Sequence, residues 1–121
     1  MKENPVLEKS FAFALRIVKL YKYLCDERAE YVLSKSALTA GTHVGKHVKE
    51  ALSGESRQVF IGEMAVALKK ASETEYWLEL LRAAGYLDEK AFVSINADCQ
   101  ELIKLLTSIV KTSKSGSIEN V

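Results

Sequence analysis

Apolar residues recur at alternating intervals of three and four over four long stretches of the chain, the spacing expected for one face of an amphipathic helix. The clearest stretch lies between Phe60 and Leu81, where only Thr74 interrupts a series of small or apolar side chains. The series consists of Phe60, Met64, Ala67, Ala71, Leu78 and Leu81. A seam of this kind is typical of a helix packed in a bundle, and we expect it to form the central helix.

Residues that start or end helices divide the pattern into four segments. Three side chains can accept hydrogen bonds at helix starts, and two glycines can close helices in the left-handed conformation. The starts are Asn4, Ser56 and Asp88, and the ends are Gly54 and Gly85. Pro5 suits a first helical turn, where its missing N–H costs little. The predicted helices cover roughly residues 5–25, 29–53, 56–84 and 88–112.

Four long amphipathic helices with short connections predict an all-α fold, an antiparallel up-down-up-down four-helix bundle. We expect this bundle to be a single domain over residues 1–113. The last residues, 114–121, are polar, contain glycine and show no periodicity. They are predicted to form a disordered tail.

The first helix carries apolar residues on two sides. One side is expected to face the core and contains Leu7, Phe11, Ala14, Leu15, Val18 and Tyr21. The opposite side mixes cations with large apolar groups and contains Lys9, Phe13, Arg16, Leu20 and Tyr23. An exposed apolar patch usually marks a contact surface, so Phe13, Leu20 and Tyr23 are candidates for an oligomer interface. An ordinary surface with scattered apolar groups and a base-stacking surface are the alternatives.

The second and fourth helices have seams of their own. The second seam is Leu33, Ala37, Ala40, Val44, Val48 and Ala51, and the fourth is Phe92, Ile95, Cys99, Leu102, Leu106 and Ile109. Gly41 and Gly45 continue a ridge of small residues from Ala37. A glycine inside a helix costs up to about 1 kcal/mol relative to alanine, so this pair requires a packing reason. We expect close helix packing here and count both glycines among the interface candidates.

Charge and cysteine content restrict the possible classes of protein. With 17 basic and 16 acidic residues among 121, the net charge of +1 gives no overall attraction to nucleic acid or anionic lipid. Cys25 and Cys99 form no metal or redox motif, which favours two reduced thiols and a cytoplasmic protein. No stretch approaches about 18 uninterrupted apolar residues, so we expect neither a membrane span nor export.

A local basic surface is the remaining route to a polyanion. The first half of the chain is the more basic, and its candidates for nucleic-acid contact are Lys9, Arg16, Lys19, Lys46, Lys49 and Arg57. Lysines on exposed helices often only keep a protein soluble. The two interpretations are therefore a contact surface for RNA or DNA and an ordinary charged surface.

The sequence contains no motif that pairs a nucleophile with a base and no phosphate-binding loop, so we predict neither an enzyme nor a cofactor. The one pattern with ligand spacing is His43, His47 and Glu50, which lie on one side of the second helix. Three such ligands could bind a metal, which gives an alternative function. Two surface or interfacial histidines are the simpler interpretation.

Three segments resemble the family of 23S rRNA-intervening-sequence proteins. They are GTHVGKHVKEA from Gly41, FIGEM from Phe60 and ALKKASETEYWL from Ala67. The resemblance extends from the first helix to about residue 113. Lys46 and His47 stand where the family usually has Ala-Asn.

The resemblance implies a four-helix bundle that assembles as a homopentamer and carries no catalytic residues. Related proteins include the accessory variability protein of diversity-generating retroelements, a basic pentamer that binds nucleic acid and a reverse transcriptase. We therefore expect a non-enzymatic, homo-oligomeric binding or scaffold protein whose further partner is RNA, DNA or another protein.

Overall fold

The chain folds into four α-helices, and residues 4–119 contain no strand. The structure is a computed structural model that describes residues 4–119, with side chains described to Ser115. The helices are α1 (Pro5–Arg28), α2 (Leu33–Leu52), α3 (Arg57–Ala83) and α4 (Glu89–Glu119).

Each helix packs against its neighbours in sequence, and α1 also meets α4. Within the described residues the backbones of the diagonal pairs, α1 with α3 and α2 with α4, do not approach closely, and the contact between α1 and α4 is the least extensive of the neighbouring pairs. This is the arrangement of an antiparallel up-down-up-down four-helix bundle, so the predicted fold class is confirmed.

The predicted helix starts are formed by side-chain caps. The side-chain oxygens of Asn4, Ser56 and Asp88 accept hydrogen bonds from the backbone N–H groups of residues 7, 59 and 91, at 3.2, 3.1 and 2.8 Å. These bonds satisfy N–H groups that have no partner within a first helical turn. Gly85 follows α3 with a φ of 88°, as predicted.

The connection between α1 and α2 differs from the prediction. α1 continues to Arg28, and Ala29 then adopts the left-handed conformation with a φ of 52°. The Glu30 carboxylate accepts hydrogen bonds from the backbone N–H groups of Val32, Leu33 and Ser34 at 3.1, 2.9 and 2.6 Å. Because this carboxylate satisfies the N–H groups of the first turn, α2 begins at Leu33 rather than at residue 29.

Two further expectations about helix ends are wrong. Gly54 does not adopt a left-handed conformation, and its missing side chain instead leaves room for Val59, whose Cγ1 would lie 2.7 Å from an added Cβ. α4 does not stop at 112, and the predicted tail is helical up to Glu119. Residues 113–119 include no proline and a single glycine, so each added residue can extend the hydrogen-bond ladder. The rest of the predicted tail, residues 120–121, lies outside the described residues.

The core is built from the seams of α2, α3 and α4 as predicted, with small shifts at the ends. Buried positions on α3 are Met64, Ala67, Ala71, Thr74, Leu78 and Leu81. The hydroxyl of Thr74 is satisfied because it donates to the backbone oxygen of Lys70 at 2.7 Å. Up to Ser115, Val110 rather than Ile109 is the last buried residue of α4, and Phe60 and Leu33 are half-buried.

The orientation of α1 is opposite to the prediction. Phe13, assigned to the outer side, is 1% exposed, whereas Phe11 and Leu15, assigned to the core, are 65% and 50% exposed. The buried side includes Val6, Ser10, Phe13, Ile17 and Leu24. α1 has two apolar stripes, and close packing on α2 selects the stripe that contains Ser10.

Gly41 and Gly45 are the reason for that selection. A Cβ added at Gly41 would lie 2.7 Å from Cγ1 of Ile17, and one added at Gly45 would lie 3.4 Å from Oγ of Ser10. The two glycines therefore allow α1 to approach α2 closely, as expected of a ridge of small residues. The packing role is confirmed, and it lies within one chain.

Candidate functional site

The apolar stripe that α1 leaves in solvent is the most prominent exposed feature of the described residues. We call Phe11, Leu15 and Val18 the α1 stripe; they follow one another at intervals of four and three and are 65%, 50% and 37% exposed. A groove of about 460 Å³ lies beside it, between α1 and α2, and is lined in part by Leu7, Phe11, Leu15 and Lys49. The α1 stripe is thus a continuous apolar surface beside a concave one, which is typical of a contact site.

Most residues predicted for the interface lie elsewhere. Phe13 belongs to the core, Gly41 is buried against Ile17, and Gly45 lies against Ser10. Phe13 was assigned to the outer side because the wrong stripe of α1 was chosen for the core, whereas Gly41 and Gly45 were named for their ridge of small residues on α2.

The other two predicted interface residues, Leu20 and Tyr23, line a groove of about 690 Å³ between α1 and α4. This groove forms where the two helices make their least extensive contact. Leu87 and Ile95 add apolar surface, and three cations lie around it: Arg16, Lys19 and Lys90. Tyr86 also lines the groove, and the guanidinium of Arg28 donates to the backbone oxygens of Gly85 and Tyr86 at 3.1 and 3.2 Å.

Two of the six candidate cations, both on α1, pair with carboxylates of α4. Lys9 pairs with Glu101 at 2.9 Å, and the hydrogen bond to that carboxylate raises the pKa of Lys9. Arg16 pairs with Asp98 at 2.8 Å and also donates to Ser94.

The remaining candidates are spread over three helices. Lys46 lies 4.0 Å from a carboxylate oxygen of Glu50, Lys19 and Lys49 line different grooves, and Arg57 begins α3. Carboxylates thus lie beside three of the six candidate cations: Lys9, Arg16 and Lys46.

The histidine pattern forms a different cluster from the predicted one. Nδ1 of His47 lies 2.7 Å from Oε1 of Glu63 on α3 and 3.2 Å from Oε1 of Glu50. These three residues are a group whose ligand atoms all lie within 4.8 Å of one another, and His43 is not part of it.

The ring of His43 instead contacts that of His47 edge-on, with centroids 6.1 Å apart. Burial lowers the pKa of His43, and the positive charges of Lys46 and Lys70 lower it further. Glu63 could not be found from spacing along one helix, because it reaches the cluster from the neighbouring helix.

The thiol best protected from solvent is not arranged as a nucleophile. Cys99 is buried in the core and donates to the backbone oxygen of Ala71 at 3.2 Å. Burial raises its pKa to about 12, so it is a neutral thiol at neutral pH.

These features define a small all-helical bundle whose notable surfaces are an apolar stripe, a groove and a polar cluster between helices. No helix within the described residues is both long and apolar enough to cross a membrane. The chain belongs to the family of 23S rRNA-intervening sequence proteins, whose sequence profile matches residues 2–108.

A solved structure supports the same assignment. The chain is similar to a protein of unknown function from the S23 ribosomal protein family of Bacteroides thetaiotaomicron VPI-5482, with 50% sequence identity and a TM-score of 0.88. The match covers 92% of this chain and 99% of that one. No curated protein of known function matches the sequence. The family assignment made from the sequence is therefore confirmed.

Proposed function

We propose that the protein is a non-enzymatic homo-oligomer that uses the α1 stripe as its subunit contact and serves as a binding or scaffold module. The observation that carries this proposal is the exposure of Phe11, Leu15 and Val18 on one side of a helix whose other side already lies in the core. A bundle needs one apolar stripe per helix to form its core. The second stripe has no function in an isolated chain.

The energetics favour covering this surface. Complete burial of a large apolar side chain contributes about 1.5–3 kcal/mol, and these three are roughly half-exposed. Burying what remains exposed contributes on the order of 3 kcal/mol per subunit. The groove beside the α1 stripe adds a concave partner for its large side chains.

A second copy of the chain is the occupant that the charge balance favours. A net charge of +1 gives little repulsion between copies. The pentameric ring implied by the resemblance to the family would repeat this contact around an axis, which is how head-to-tail interfaces close. Such a ring would present the groove between α1 and α4 five times.

The arrangement of charges favours a protein over a nucleic acid as the further partner. Binding to a nucleic-acid backbone requires cations that are free to neutralise phosphates. Lys9 and Arg16, the cations of α1 nearest to α4, already pair with carboxylates of that helix. An apolar groove bordered by Lys19 and Lys90 suits an amphipathic segment with acidic residues.

Variants of the α1 stripe test the subunit contact. Leu15→Asp and Phe11→Asp place a charge in the proposed interface while leaving the core of each bundle unchanged. We expect light scattering to give the mass of a single chain for both, with circular dichroism as helical as that of the unmodified protein. Val93→Asp is a matched control, because Val93 is a comparably exposed apolar residue on α4. An oligomer that survives both α1 changes, or is lost in Val93→Asp alone, would place the contact elsewhere and refute the proposal.

A further inference from the structure

We propose that His47, Glu50 and Glu63 form a binding site for a divalent transition-metal ion of the Zn²⁺ type, bridging α2 and α3. His47 and Glu50 occupy successive turns of α2, and Glu63 approaches from the first half of α3. The three side chains direct one nitrogen and two carboxylate oxygens to a common point. This site is independent of the α1 stripe.

The distances are those of ligands arranged around one ion. Zn²⁺ binds histidine nitrogen and carboxylate oxygen at about 2.0–2.2 Å, which places neighbouring ligand atoms about 3 Å apart. Nδ1 of His47 lies 2.7 Å from Glu63 and 3.2 Å from Glu50, and all three atoms lie within 4.8 Å of one another. An ion could therefore be bound with small rotations of the side chains alone.

Nδ1 of His47 faces more acceptors than it can donate to. Nδ1 of His47 carries at most one proton, yet it faces two carboxylate oxygens from different residues. Two carboxylates on one imidazole leave an excess of negative charge, which Lys46 offsets only through the other oxygen of Glu50, at 4.0 Å. A divalent cation would contact all three ligand atoms at once and balance both carboxylates.

The exposure of the ligands also suits an ion. The side chain of His47 is mostly buried, whereas those of Glu50 and Glu63 are partly open to solvent. The imidazole is thus held in place by the residues packed around it, while an ion can reach the site from the side of the two carboxylates. Three protein ligands with an open side leave coordination positions for water, the arrangement of zinc sites that are not closed structural ones.

Isothermal titration calorimetry of Zn²⁺ with the untagged protein tests the site. The absorption spectrum of bound Co²⁺ reports the geometry of its ligands. We expect one ion per chain and a melting temperature that rises with Zn²⁺ concentration, since an ion bound only by the folded chain stabilises it. His47→Ala and Glu63→Gln are each expected to reduce the affinity for Zn²⁺ by at least about tenfold. Loss of a residue that only hydrogen-bonds to a metal ligand already costs about 10- to 100-fold, and these two residues are ligands themselves.

The control is His43→Ala, which removes the neighbouring histidine of α2 but none of the three ligands. An unchanged affinity in His43→Ala supports the site. A loss in His43→Ala with none in Glu63→Gln would assign the ion to α2 alone and overturn the proposal, as would the absence of Zn²⁺ binding. Glu63 is partly exposed and glutamine has its shape, so Glu63→Gln provides a folded variant even if His47→Ala does not fold. The native mass of the same samples reports on the oligomer separately.

Discussion

The close approach of α1 and α2 gives a quantitative prediction for Gly41→Ala. Alanine is favoured over glycine inside a helix by about 1 kcal/mol. The added Cβ, however, would lie 2.7 and 3.0 Å from the two γ-carbons of Ile17. Overpacking a core in this way typically costs about 1–3 kcal/mol. We therefore expect Gly41→Ala to change the free energy of unfolding by between about 0 and 2 kcal/mol in the destabilising direction.

Gly62→Ala is the matched control, because Gly62 lies inside α3 and an added Cβ would meet no atom within 4 Å apart from its chain neighbours and the adjacent helix backbone. It should gain the helical preference alone and stabilise the chain by about 1 kcal/mol. Urea denaturation at a fixed protein concentration, followed by the fluorescence of Trp77, measures both changes. The difference between the two variants isolates the steric cost at Gly41.

A double-mutant cycle assigns that cost to one contact. Ile17→Ala removes both γ-carbons, so Gly41→Ala should lose most of its steric cost in that background, with a coupling of about 1–3 kcal/mol. If Gly41→Ala instead stabilises the chain as much as Gly62→Ala does, α1 and α2 are not in close contact and the described orientation of α1 is wrong.

Two further predictions concern buried polar groups. Burial alone would raise the pKa of Glu30, but hydrogen bonds from the backbone of Leu33, Ser34 and Val32 lower it more. Glu30→Gln should thus lower the free energy of unfolding by about 1–2 kcal/mol at neutral pH, as loss of a helix cap does. Because the pKa of Glu30 is depressed in the folded state, the loss of stability in Glu30→Gln should be complete above the ordinary glutamate pKa of about 4.3. The loss should vanish as the pH falls through the folded-state pKa. Urea denaturation across this range measures it, and a loss that did not change with pH would show that the carboxylate is not the cap. Cys99, neutral and buried, should resist iodoacetamide until the chain unfolds, whereas labelling at the rate of half-buried Cys25 would contradict its position in the core.

The sequence predicted the core-facing side of α2, α3 and α4, but not that of α1. On α3 the side that is buried, from Met64 to Leu81, is the predicted seam. α1 has two stripes, and periodicity does not distinguish them. The choice is made by Ser10 against Gly45 and Ile17 against Gly41, which are pairings between helices.

Contacts between residues far apart along the chain also explain why the metal-ligand cluster was not predicted correctly. Glu63 joins His47 across two helices, so a pattern along one helix finds Glu50 but not its partner. Glu30 caps α2 although glutamate is not among the preferred capping residues, and the start of that helix was placed too early. Short-range signals of the usual type, such as Ser56 and Asp88, were found correctly.

The central claim is that the α1 stripe is covered by another copy of the chain. Native mass spectrometry of the unmodified protein at micromolar concentration tests it most directly. The account predicts a discrete species at a multiple of the 13.5 kDa chain mass, with five copies for the pentameric ring implied by the family. A species of a single chain at that concentration would contradict the account.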